Sequence, residues 1–525
     1  MTERSSLYPE HFNVVRAREL KERKLSCDVL VVGSGAGGAI TAEILAESGL
    51  KVIIVEEGPY RSQRDFNMLE REAYPELYQE AASRKTKDKA ITILQGRAVG
   101  GSTTVNWTSS FRTPNQTLEF WQSRFGLSEL STESLSPWFE SIERKLGIKP
   151  WALPPNPNNA VLARGTNKLG YHSAVIPRNV RGCANLGYCG MGCPLDAKQS
   201  MLVTSIPAAL SFGAQLITRA RVEQINTVRQ QVRSVSLTAM DEKGQPISDS
   251  QLEIRPKSLV LSAGAIGSPA ILLRSGLNGS GEVGKRTFLH PVTATAAIMP
   301  DEINAYRGAP QSIYSDEFLW PESGIESAGY KLEVPPIHPL IVSTLVPGHG
   351  AKHRELMQQF KHMHAMLALH RDGFSEQSEG GQVIINQDNL PVLDYPLNDY
   401  FWEAAKHSLL EMAKIQFAAG AKTVMPIHSE LILSNNMLEF EQNLEELDMQ
   451  SNSLKVFSAH VMGGCAMGVD PDESVVDHFG RHHEISNLRV IDGSVFPTSL
   501  GVNPQLTIYA MAARNATELA NELIR

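Results

Sequence analysis

Residues 27–58 read CDVLVVGSGAGGAITAEILAESGLKVIIVEEG, and the remainder of the chain is interpreted outward from them. An apolar run, Val29 to Val32, leads directly into six small residues, GSGAGG, at positions 33–38. A helical pattern of small residues follows, and then a second apolar run, Lys51–Val55. This order of strand, glycine turn, helix and strand predicts a βαβ unit that binds a dinucleotide.

The glycines of this unit have distinct predicted tasks. Gly33 makes the tight turn, Gly35 allows the backbone to approach a pyrophosphate, and Gly38 allows the helix to pack against the strand. The helix N-terminus then directs its amides and its dipole at the phosphates. Glu56 ends the second strand and is placed to bind a ribose hydroxyl pair. The unit predicts these nucleotide-binding residues: Gly33, Ser34, Gly35, Ala36, Gly37, Gly38 and Glu56.

The length, charge and cysteine content of the chain limit its class. With 525 residues the chain is too long for one compact core, so we expect two domains. A net charge of −8 argues against a nucleic-acid or anionic-membrane partner. No apolar run reaches the roughly 18–20 residues of a membrane span, so we expect no transmembrane segment. The N-terminus is polar and only five cysteines are present, which favours a cytoplasmic location.

Residues 95–107, QGRAVGGSTTVNW, contain a second glycine pair followed by hydroxyl side chains. Such a loop supplies further backbone N–H groups and side-chain donors. It is therefore suited to a long cofactor that contains phosphates.

Four motifs resemble those of the glucose–methanol–choline (GMC) flavin oxidoreductases. They are GRAVGGSTTVN at 96–106, SAGAIGSPAILLRSGL at 262–277, HVMGGCAMG at 460–468, and VIDGSVFP at 490–497 with VNP at 502–504. Asn278 departs from the family, which usually has a glycine there. The motifs run from the first strand to the last helix, and NWTSSFRTP with VNPQLTIYAMAARN looks most like the long-chain alcohol oxidase branch.

The resemblance implies an α/β fold in which a Rossmann-like FAD-binding domain is interleaved with an α+β substrate domain built on an antiparallel sheet. The implied FAD-binding domain comprises residues 25–112, 200–295 and 457–525. The implied substrate domain comprises residues 113–199 and 296–456, after an N-terminal segment at residues 1–24.

The hydrophobic pattern of the chain agrees with this division. Three stretches predict strands of a central sheet: Gln215–Ile225, Leu259–Ala263 and Leu488–Ile491. In the intervening region, Gln382–Ile385 and Pro391–Tyr395 predict a hairpin around an Asp388-Asn389 turn. Phe401–Gly420 predicts a long amphipathic helix that ends at a glycine.

The resemblance also implies which further residues hold FAD. Val222 would lie against the adenine through its backbone, and the Asp492-Gly493 turn would meet the ribityl–pyrophosphate part. Covalent attachment in the family uses a histidine near the second glycine motif, and residues 94–112 contain none, so we expect non-covalent FAD. The implied set is Arg97, Gly101, Ser102, Asn106, Val222, Asp492, Gly493 and Pro504.

His460 is the candidate catalytic base. Oxidation of an alcohol by a flavin needs a group that accepts the hydroxyl proton, and histidine has a suitable pKa near neutral pH. Among 15 histidines, His460 opens the glycine-rich HVMGGCAMG, whereas His290, His338 and His364 have no comparable context. In the resembling family this histidine faces the flavin and is the base. A hydrogen-bonded core histidine is the structural alternative.

Asn503 is the second candidate catalytic residue. It precedes Pro504 and the predicted last helix, Gln505–Leu519, where asparagine at the N-cap and proline at the first helical position form a preorganised start. Capping alone explains both residues. The resemblance implies that Asn503 also binds the substrate hydroxyl while the helix N-terminus stabilises negative charge on the flavin. Glu333 has no assigned role.

Three cysteines, Cys183, Cys189 and Cys193, form a C-x5-C-x3-C pattern with glycines and a proline after the last one. This pattern resembles the segment of membrane-associated sugar dehydrogenases of the same family that holds a three-iron cluster, a 3Fe-4S group. Buried or reactive thiols in a loop are the alternative, and zinc lacks a nearby fourth ligand.

The leading hypothesis is an FAD-dependent oxidoreductase that oxidises the CH–OH group of a long-chain or hydrophobic alcohol to an aldehyde or ketone. It predicts hydride transfer to the flavin with His460 as the base. The alternatives are a sugar or polyol dehydrogenase with an iron–sulfur cluster, an FAD-containing lyase, a nicotinamide-dependent dehydrogenase and a non-catalytic binding protein. The expected partner is a small-molecule alcohol, and the electron acceptor, whether oxygen, a quinone or a protein, stays open.

Overall fold

The computed structural model describes residues 12–525, so the predicted N-terminal segment 1–24 lies partly outside the described residues. The helices of the described chain are α1 (Ala36–Glu47), α2 (Glu70–Leu77), α3 (Asn115–Phe125), α4 (Thr132–Leu146), α5 (Pro157–Leu169), α6 (Ser205–Ser211), α7 (Gly264–Arg274), α8 (Pro339–Leu345), α9 (Gly350–Gln358), α10 (Asp399–Ala418), α11 (Met437–Glu446) and α12 (Gln505–Ile524).

The strands fall along the whole described chain. The first half contains β1 (Val14–Arg16), β2 (Lys24–Val32), β3 (Val52–Glu56), β4 (Ile91–Ile93), β5 (Ile148–Pro150), β6 (Ala174–Val175), β7 (Pro177–Asn179), β8 (Gln215–Thr218), β9 (Ala220–Val228), β10 (Gln231–Met240) and β11 (Pro246–Leu261). The second half contains β12 (Thr287–Leu289), β13 (Val292–Ile298), β14 (Ile313–Ser315), β15 (Tyr330–Glu333), β16 (Met363–His370), β17 (Gln382–Ile385), β18 (Pro391–Asp394), β19 (Thr423–Pro426), β20 (Val456–Ser458), β21 (Val461–Gly463) and β22 (Leu488–Val490).

The first sheet has the strand order β1-β8-β3-β2-β11-β10-β9, and β22 also pairs with β11. The pairs from β1 through to β11 are parallel, as is β11 with β22, whereas β10 is antiparallel to both of its neighbours, β9 and β11. Val31 of β2 lies beside Ile54 of β3 and Val260 of β11, and all three side chains are buried. Helices cover both faces of such a sheet, which explains why these strands are continuous apolar runs.

Helix α1 follows β2 and packs against α6 and the C-terminal helix α12. Its buried face is made of small residues, among them Gly37, Gly38 and Ala39. The missing side chains allow the helix to lie close to the turn that precedes it. The first βαβ unit is thus covered by the last helix of the chain.

The second sheet has the order β4-β20-β13-β16-β15-β14-β6, with β19 also paired to β13. Its pairs are antiparallel except for β4 with β20. Helices α5 and α10 pack on one another, and α10 lies against β13 and β16. In register, Val292 of β13 is beside Leu369 of β16 and Phe457 of β20, which forms an apolar patch.

A two-stranded antiparallel pair, β12 with β21, positions the candidate base His460 beside His290. Leu289 pairs with Val461, and the N–H of His290 donates to the carbonyl of His460 at 3.3 Å. The two histidines therefore extend from adjacent strand ends.

The local predictions are largely confirmed, with one correction. The hairpin forms as β17–β18 with Asn389 in the left-handed conformation, and the long helix forms as α10. Leu259–Ala263 and Leu488–Ile491 correspond to the end of β11 and to β22. The single strand predicted over Gln215–Ile225 is wrong, because Arg219 has φ +53° and divides it into β8 and β9.

Candidate active site

A cavity of about 900 Å³ lies between the two sheets. Val32, Glu56 and Ser262, at the carboxyl ends of β2, β3 and β11, line one side, and Val292 and Leu369 of the second sheet line the other. Ligands of parallel α/β sheets bind at this edge. The cavity brings together most of the residues predicted from the sequence: Gly33, Ser34, Gly35, Ala36, Gly37, Glu56, Arg97, Gly101, Ser102, Asn106, Val222, His460, Asp492, Gly493, Asn503 and Pro504.

The glycine turn is closed on one side and open on the other. A Cβ on Gly33, which has φ +99°, would lie 2.2 Å from the carbonyl oxygen of Ser262. A Cβ on Gly38 would lie 2.0 Å from the carbonyl oxygen of Gly33, so Gly38 permits close packing behind the cavity. A Cβ on Gly35 would meet only Gly101, at 3.8 Å, and would fill the space between the two glycine loops. This bare cradle of backbone amides fits the phosphates of a dinucleotide flavin.

Glu56 fixes the turn from the end of β3. Its carboxylate accepts hydrogen bonds from the N–H of Ser34 at 3.1 Å, the hydroxyl of Ser34 at 2.6 Å and the N–H of Gly58 at 2.8 Å. Burial raises the pKa of the Glu56 carboxyl, and the bonds from Ser34 and Gly58 oppose that rise. Ser34 also accepts from the N–H of Gly100 at 3.0 Å, which ties the turn to the second glycine loop.

The second loop is held from behind by a buried lysine. The ammonium group of Lys198 donates to the carbonyl oxygens of Thr104, Asn106 and Cys189 at 2.5, 3.0 and 2.8 Å. Burial lowers the pKa of Lys198 to about 8. The side chain of Asn106 donates to Gln505 at 2.7 Å, so the loop also contacts the start of α12.

Asp492 connects three segments around the floor of the cavity. One carboxylate oxygen accepts from the N–H of Gly264 at 2.8 Å and the hydroxyl of Ser268 at 2.6 Å, and the other accepts from the N–H of Ser494 at 2.8 Å. Burial raises the pKa of Asp492, and these hydrogen bonds counteract it. The carboxylate therefore keeps the amides of the 492–494 turn at the cavity wall.

His460 lies on the cavity wall immediately before β21. Burial lowers its pKa to about 4, with Glu333 raising it and Lys331 lowering it further. The imidazole is therefore neutral at pH 7. Its Nε2 lies 3.4 Å from the amide nitrogen of Asn503, and its Nδ1 lies 3.0 Å from Nδ1 of His290.

Asn503 does not cap the last helix. The N-cap of α12 is Pro504, and the helix has no side-chain cap. The Asn503 oxygen instead accepts from the ammonium of Lys331 at 3.1 Å, and its amide nitrogen donates to Glu333 at 3.3 Å. The capping interpretation is wrong because the oxygen and the nitrogen of the Asn503 amide are both hydrogen-bonded to charged side chains, Lys331 and Glu333.

Lys331, which the sequence reasoning missed, and Glu333, to which it assigned no role, flank the site. They stand two apart on β15, so both side chains face the same side, and their charged groups are 2.9 Å apart with 1% and 0% exposure. The Lys331 ammonium also lies 3.1 Å from the centre of the Phe111 ring. The sequence did contain a signal for this buried ion pair: two opposite charges stand at alternate positions of a strand whose other residues are a tyrosine and a leucine. His290, which is equally buried, offered no such signal.

The three cysteines lie outside this cavity. Cys183 is partly buried, and burial raises the pKa of its thiol, while the Cys189 sulfur accepts a 3.7 Å contact from Arg178. Across residues 12–525, no three His, Cys, Asp or Glu side chains form a group that can hold a metal ion. The described structure therefore gives no support to an iron–sulfur cluster at Cys183, Cys189 and Cys193.

The wall contributed by the second sheet is mainly apolar. Val292, Leu367, Leu369 and Phe457 line it, and Gln311 is a polar exception. Gln311 donates to Glu333 and accepts from the hydroxyl of Ser109, so its polar groups are occupied. This side of the cavity is thus complementary to an apolar group.

Known proteins resemble this chain over most of its length. Two sequence models of the GMC oxidoreductase family match residues 74–292 and 377–512, and a model of an FAD binding domain matches residues 28–66. An uncharacterised GMC-type oxidoreductase of Mycobacterium tuberculosis is 31% identical over 505 residues, which cover 95% of this chain and 76% of that protein. A long-chain-alcohol oxidase of Arabidopsis thaliana is 29% identical over 505 residues, covering 93% of this chain and 68% of that protein.

Solved structures share the fold. Pyridoxine 4-oxidase from Mesorbium loti has a TM-score of 0.66 at 19% identity and covers 94% of this chain and 99% of its own. Formate oxidase has a TM-score of 0.68 at 14% identity, and the match covers 95% of this chain and 100% of that one. In the part of the chain that the structure describes, no helix has the length and apolarity needed to cross a membrane. With its α/β fold, Rossmann-like first sheet and matched sequence models, the chain belongs to the GMC oxidoreductase family.

Proposed function

We propose that the chain binds FAD non-covalently and oxidises the CH–OH group of an apolar alcohol to an aldehyde or ketone. When bound, FAD supplies the two-electron acceptor for the hydrogen on the carbinol carbon. The observation that supports the proposal is the placement of His460 and Asn503, 3.4 Å apart, in the same cavity as the glycine turn.

The cofactor-holding residues of the proposal are those of the two glycine loops and the chain end. The amides around Gly35 and Gly101 would receive the phosphates, and Glu56 would accept from a ribose hydroxyl while it holds Ser34. Val222 would meet the adenine, and the 492–494 turn would meet the ribityl part. The proposed domain limits remain 25–112, 200–295 and 457–525 for the FAD-binding domain, with 113–199 and 296–456 for the substrate domain.

His460 would accept the hydroxyl proton at Nε2, and Asn503 would orient the hydroxyl oxygen. The low pKa of His460, about 4, means that the ring is neutral and able to act as a base across the physiological range. Asn503 must present its N–H to the alcohol, because its oxygen faces the ammonium of Lys331, which can only donate.

The apolar wall supports a hydrophobic alcohol as the substrate class. Val292, Leu369 and Phe457 are neighbours in the second sheet and offer no hydrogen-bond partner to a sugar hydroxyl. The related Arabidopsis protein is a long-chain-alcohol oxidase, which agrees with this class.

The decisive experiment is anaerobic single-turnover reduction of the bound flavin. His460→Ala should keep its flavin but reduce it at least about a hundredfold more slowly, since loss of a positioned base typically costs 10²–10⁴ in rate. Asn503→Ala should cost less, and the double variant should be little slower than His460→Ala, because both residues act on one oxygen.

A matched control is His482→Asn, outside the cavity, where Nδ1 of the ring accepts from two backbone N–H groups that an asparagine oxygen can still satisfy. It should reduce its flavin at the wild-type rate. Near-normal reduction in His460→Ala would overturn the proposed mechanism, and additive losses would show that the two residues do not share a substrate atom.

A further inference from the structure

Two buried cations, Arg178 and Lys198, lie directly behind the second glycine loop. They are 1% and 2% exposed. Lys198 donates to two carbonyl oxygens of the loop, and the Arg178 guanidinium donates to the hydroxyl of Thr108 at 2.8 Å and to the carbonyl oxygen of Trp107 at 3.4 Å. Segment 105–109 of the loop lines the cavity, whereas neither cation does. Both cations therefore hold this segment from behind the cavity wall.

No carboxylate balances these two charges within residues 12–525. The contacts of the Lys198 ammonium are three backbone carbonyl oxygens, and the charges that act on it are those of Arg178, Cys189 and Cys193. The Arg178 guanidinium lies over the Trp151 ring at 4.8 Å, and its Nη1 is buried without a hydrogen-bond partner in the described chain. A buried charge without a counter-charge is costly, so its retention calls for a reason.

Segment 105–109 connects the two ends of the cavity. Gly101, just before it, belongs to the cradle that would receive the phosphates. At the other end, the carbonyl oxygen of Ser109 accepts from the side chain of Gln505 at 2.7 Å, two positions after Asn503. Under the proposed function, the flavin ring system lies between the phosphates and Asn503, and hence along this segment.

The carboxylates near the same end of the cavity already have partners. Glu333 pairs with Lys331 at 2.9 Å, so this pair adds no net charge. Asp492 accepts three hydrogen bonds, from Gly264, Ser268 and Ser494. The charge left without a counter-charge at segment 105–109 is therefore positive.

We propose that Lys198 and Arg178 stabilise, from behind segment 105–109, the negative charge that the flavin gains when it accepts a hydride. This inference rests on the proposed function and adds a source of charge stabilisation to it. A hydride carries two electrons and one proton away from the carbinol carbon, so its acceptor gains one negative charge, while the hydroxyl proton goes separately to the base. Fixed charges act on such a site without contact, because the protein interior screens them weakly.

Sulfite is a direct probe of this charge, because it adds as an anion to an oxidised flavin and removes the visible absorption of the flavin. The flavin-loaded wild-type protein should bind sulfite at pH 7, where Lys198, with its pKa lowered to about 8, is mainly charged. Lys198→Gln keeps N–H donors but loses the charge. Its sulfite affinity should fall by about tenfold, since a unit charge acting over about 10 Å at an effective dielectric constant of about 20 has roughly this effect. Lys198→Arg keeps the charge and should stay within about threefold of the wild type.

Cys189→Ser is the matched control, because serine keeps an acceptor beside Arg178 and cannot become a thiolate. It should bind sulfite as the wild type does. Tighter binding in this variant would show that a thiolate already balances the cations, which would overturn the proposal. An unchanged affinity in flavin-loaded Lys198→Gln would overturn it as well. Equal weakening in Lys198→Gln and Lys198→Arg would also do so, since it would indicate a displaced loop rather than a lost charge.

The wild-type measurement keeps the proposal testable even if the Lys198 variants fail to fold: a flavin-loaded protein that does not bind sulfite would overturn it. The proposed function fails by other results. Protein that purifies without flavin and cannot be loaded with it would overturn that function, and this inference with it. Normal flavin reduction in His460→Ala would overturn the proposed base and leave the sulfite affinities unaffected.

Discussion

Lys331 stands on the opposite side of Asn503 from His460, and its ammonium group orients the amide. An ammonium can only donate, so the Asn503 oxygen turns towards it and the nitrogen turns towards the cavity. Glu333 balances the buried charge at 2.9 Å. Neither Lys331 nor Glu333 lines the cavity, yet together they fix which end of the Asn503 amide faces it.

Replacement of one member of this pair should be more harmful than replacement of both. Lys331→Met leaves a buried carboxylate without its cation, which typically destabilises a protein by about 3–5 kcal/mol. Lys331→Met combined with Glu333→Gln removes both charges and should recover most of that loss. Denaturant unfolding of the three proteins measures the difference. Equal stability of the single and double variants would contradict a buried, mutually dependent pair.

The pH dependence of flavin reduction should reflect the neutral form of His460. Since burial lowers the pKa of this ring to about 4, the neutral form persists well below the pKa of an ordinary histidine. We expect the rate after a rapid pH jump to stay level from pH 7 to about 5 and to fall as the pH drops through about 4. A decline centred near pH 6.5 would mean that another group, or a solvated His460, limits the reaction.

At the scale of elements, the first βαβ unit depends on one close approach between α1 and the turn before it. A Cβ at Gly38 would lie 2.0 Å from the backbone oxygen of Gly33, so Gly38→Ala must displace the helix or the turn. We expect the purified variant to contain little flavin, measured by its absorbance relative to protein. Gly49→Ala is the control, because nothing lies within 4 Å and only its φ of +84° opposes the change, at about 1–2 kcal/mol. Full flavin content in Gly38→Ala would contradict the packing argument.

The elements also show which features could be predicted from the sequence. Continuous apolar runs, glycine turns and helix periodicity are local, so β2, β3, α1, the β17–β18 hairpin and α10 were predictable. The break at Arg219 was not, because a left-handed backbone at an arginine has no compositional marker. The contacts of Asn503 could not be predicted for another reason: Lys331, which was missed, and Glu333, which had no assigned role, reach it from a strand about 170 positions away. Contacts at that separation depend on the assembled sheets.

The whole molecule buries several histidines in neutral form. Burial lowers the pKa of His338, His460 and His482 to about 4, and of His364 and His370 to about 3. In the unfolded chain each takes up a proton near pH 6.5, so between that value and about pH 4 the unfolded state binds more protons than the folded state. Stability is therefore lost as the pH falls through this window. Burial raises the pKa of Asp372 to about 7, so the folded state takes up this proton first, and this group adds to stability as the pH falls.

We expect a net loss of several kcal/mol of unfolding free energy between pH 7.5 and 5.5, before most carboxylates titrate. Urea unfolding at the two pH values measures it. His482→Asn keeps the acceptor for the N–H groups of Glu484 and Ile485 but removes one titrating ring, so its loss should be smaller by about 1.4 kcal/mol. An identical loss in this variant would assign the acid sensitivity to other groups.

The cavity joins residues from opposite ends of the chain: the turn at 33–38 meets Ile491, Asp492 and the start of α12. The ribosome synthesises the first βαβ unit early, yet His460 and the 492–494 turn at the floor of the cavity follow more than 400 residues later. At about 5–20 residues per second, β22 and α12 follow the first βαβ unit by on the order of half a minute, and the nascent chain spends that time without the last strand of its first sheet and without the helix that covers α1. The cavity is therefore completed only after α12 has been synthesised, and until then the face of α1 that α12 covers stays exposed.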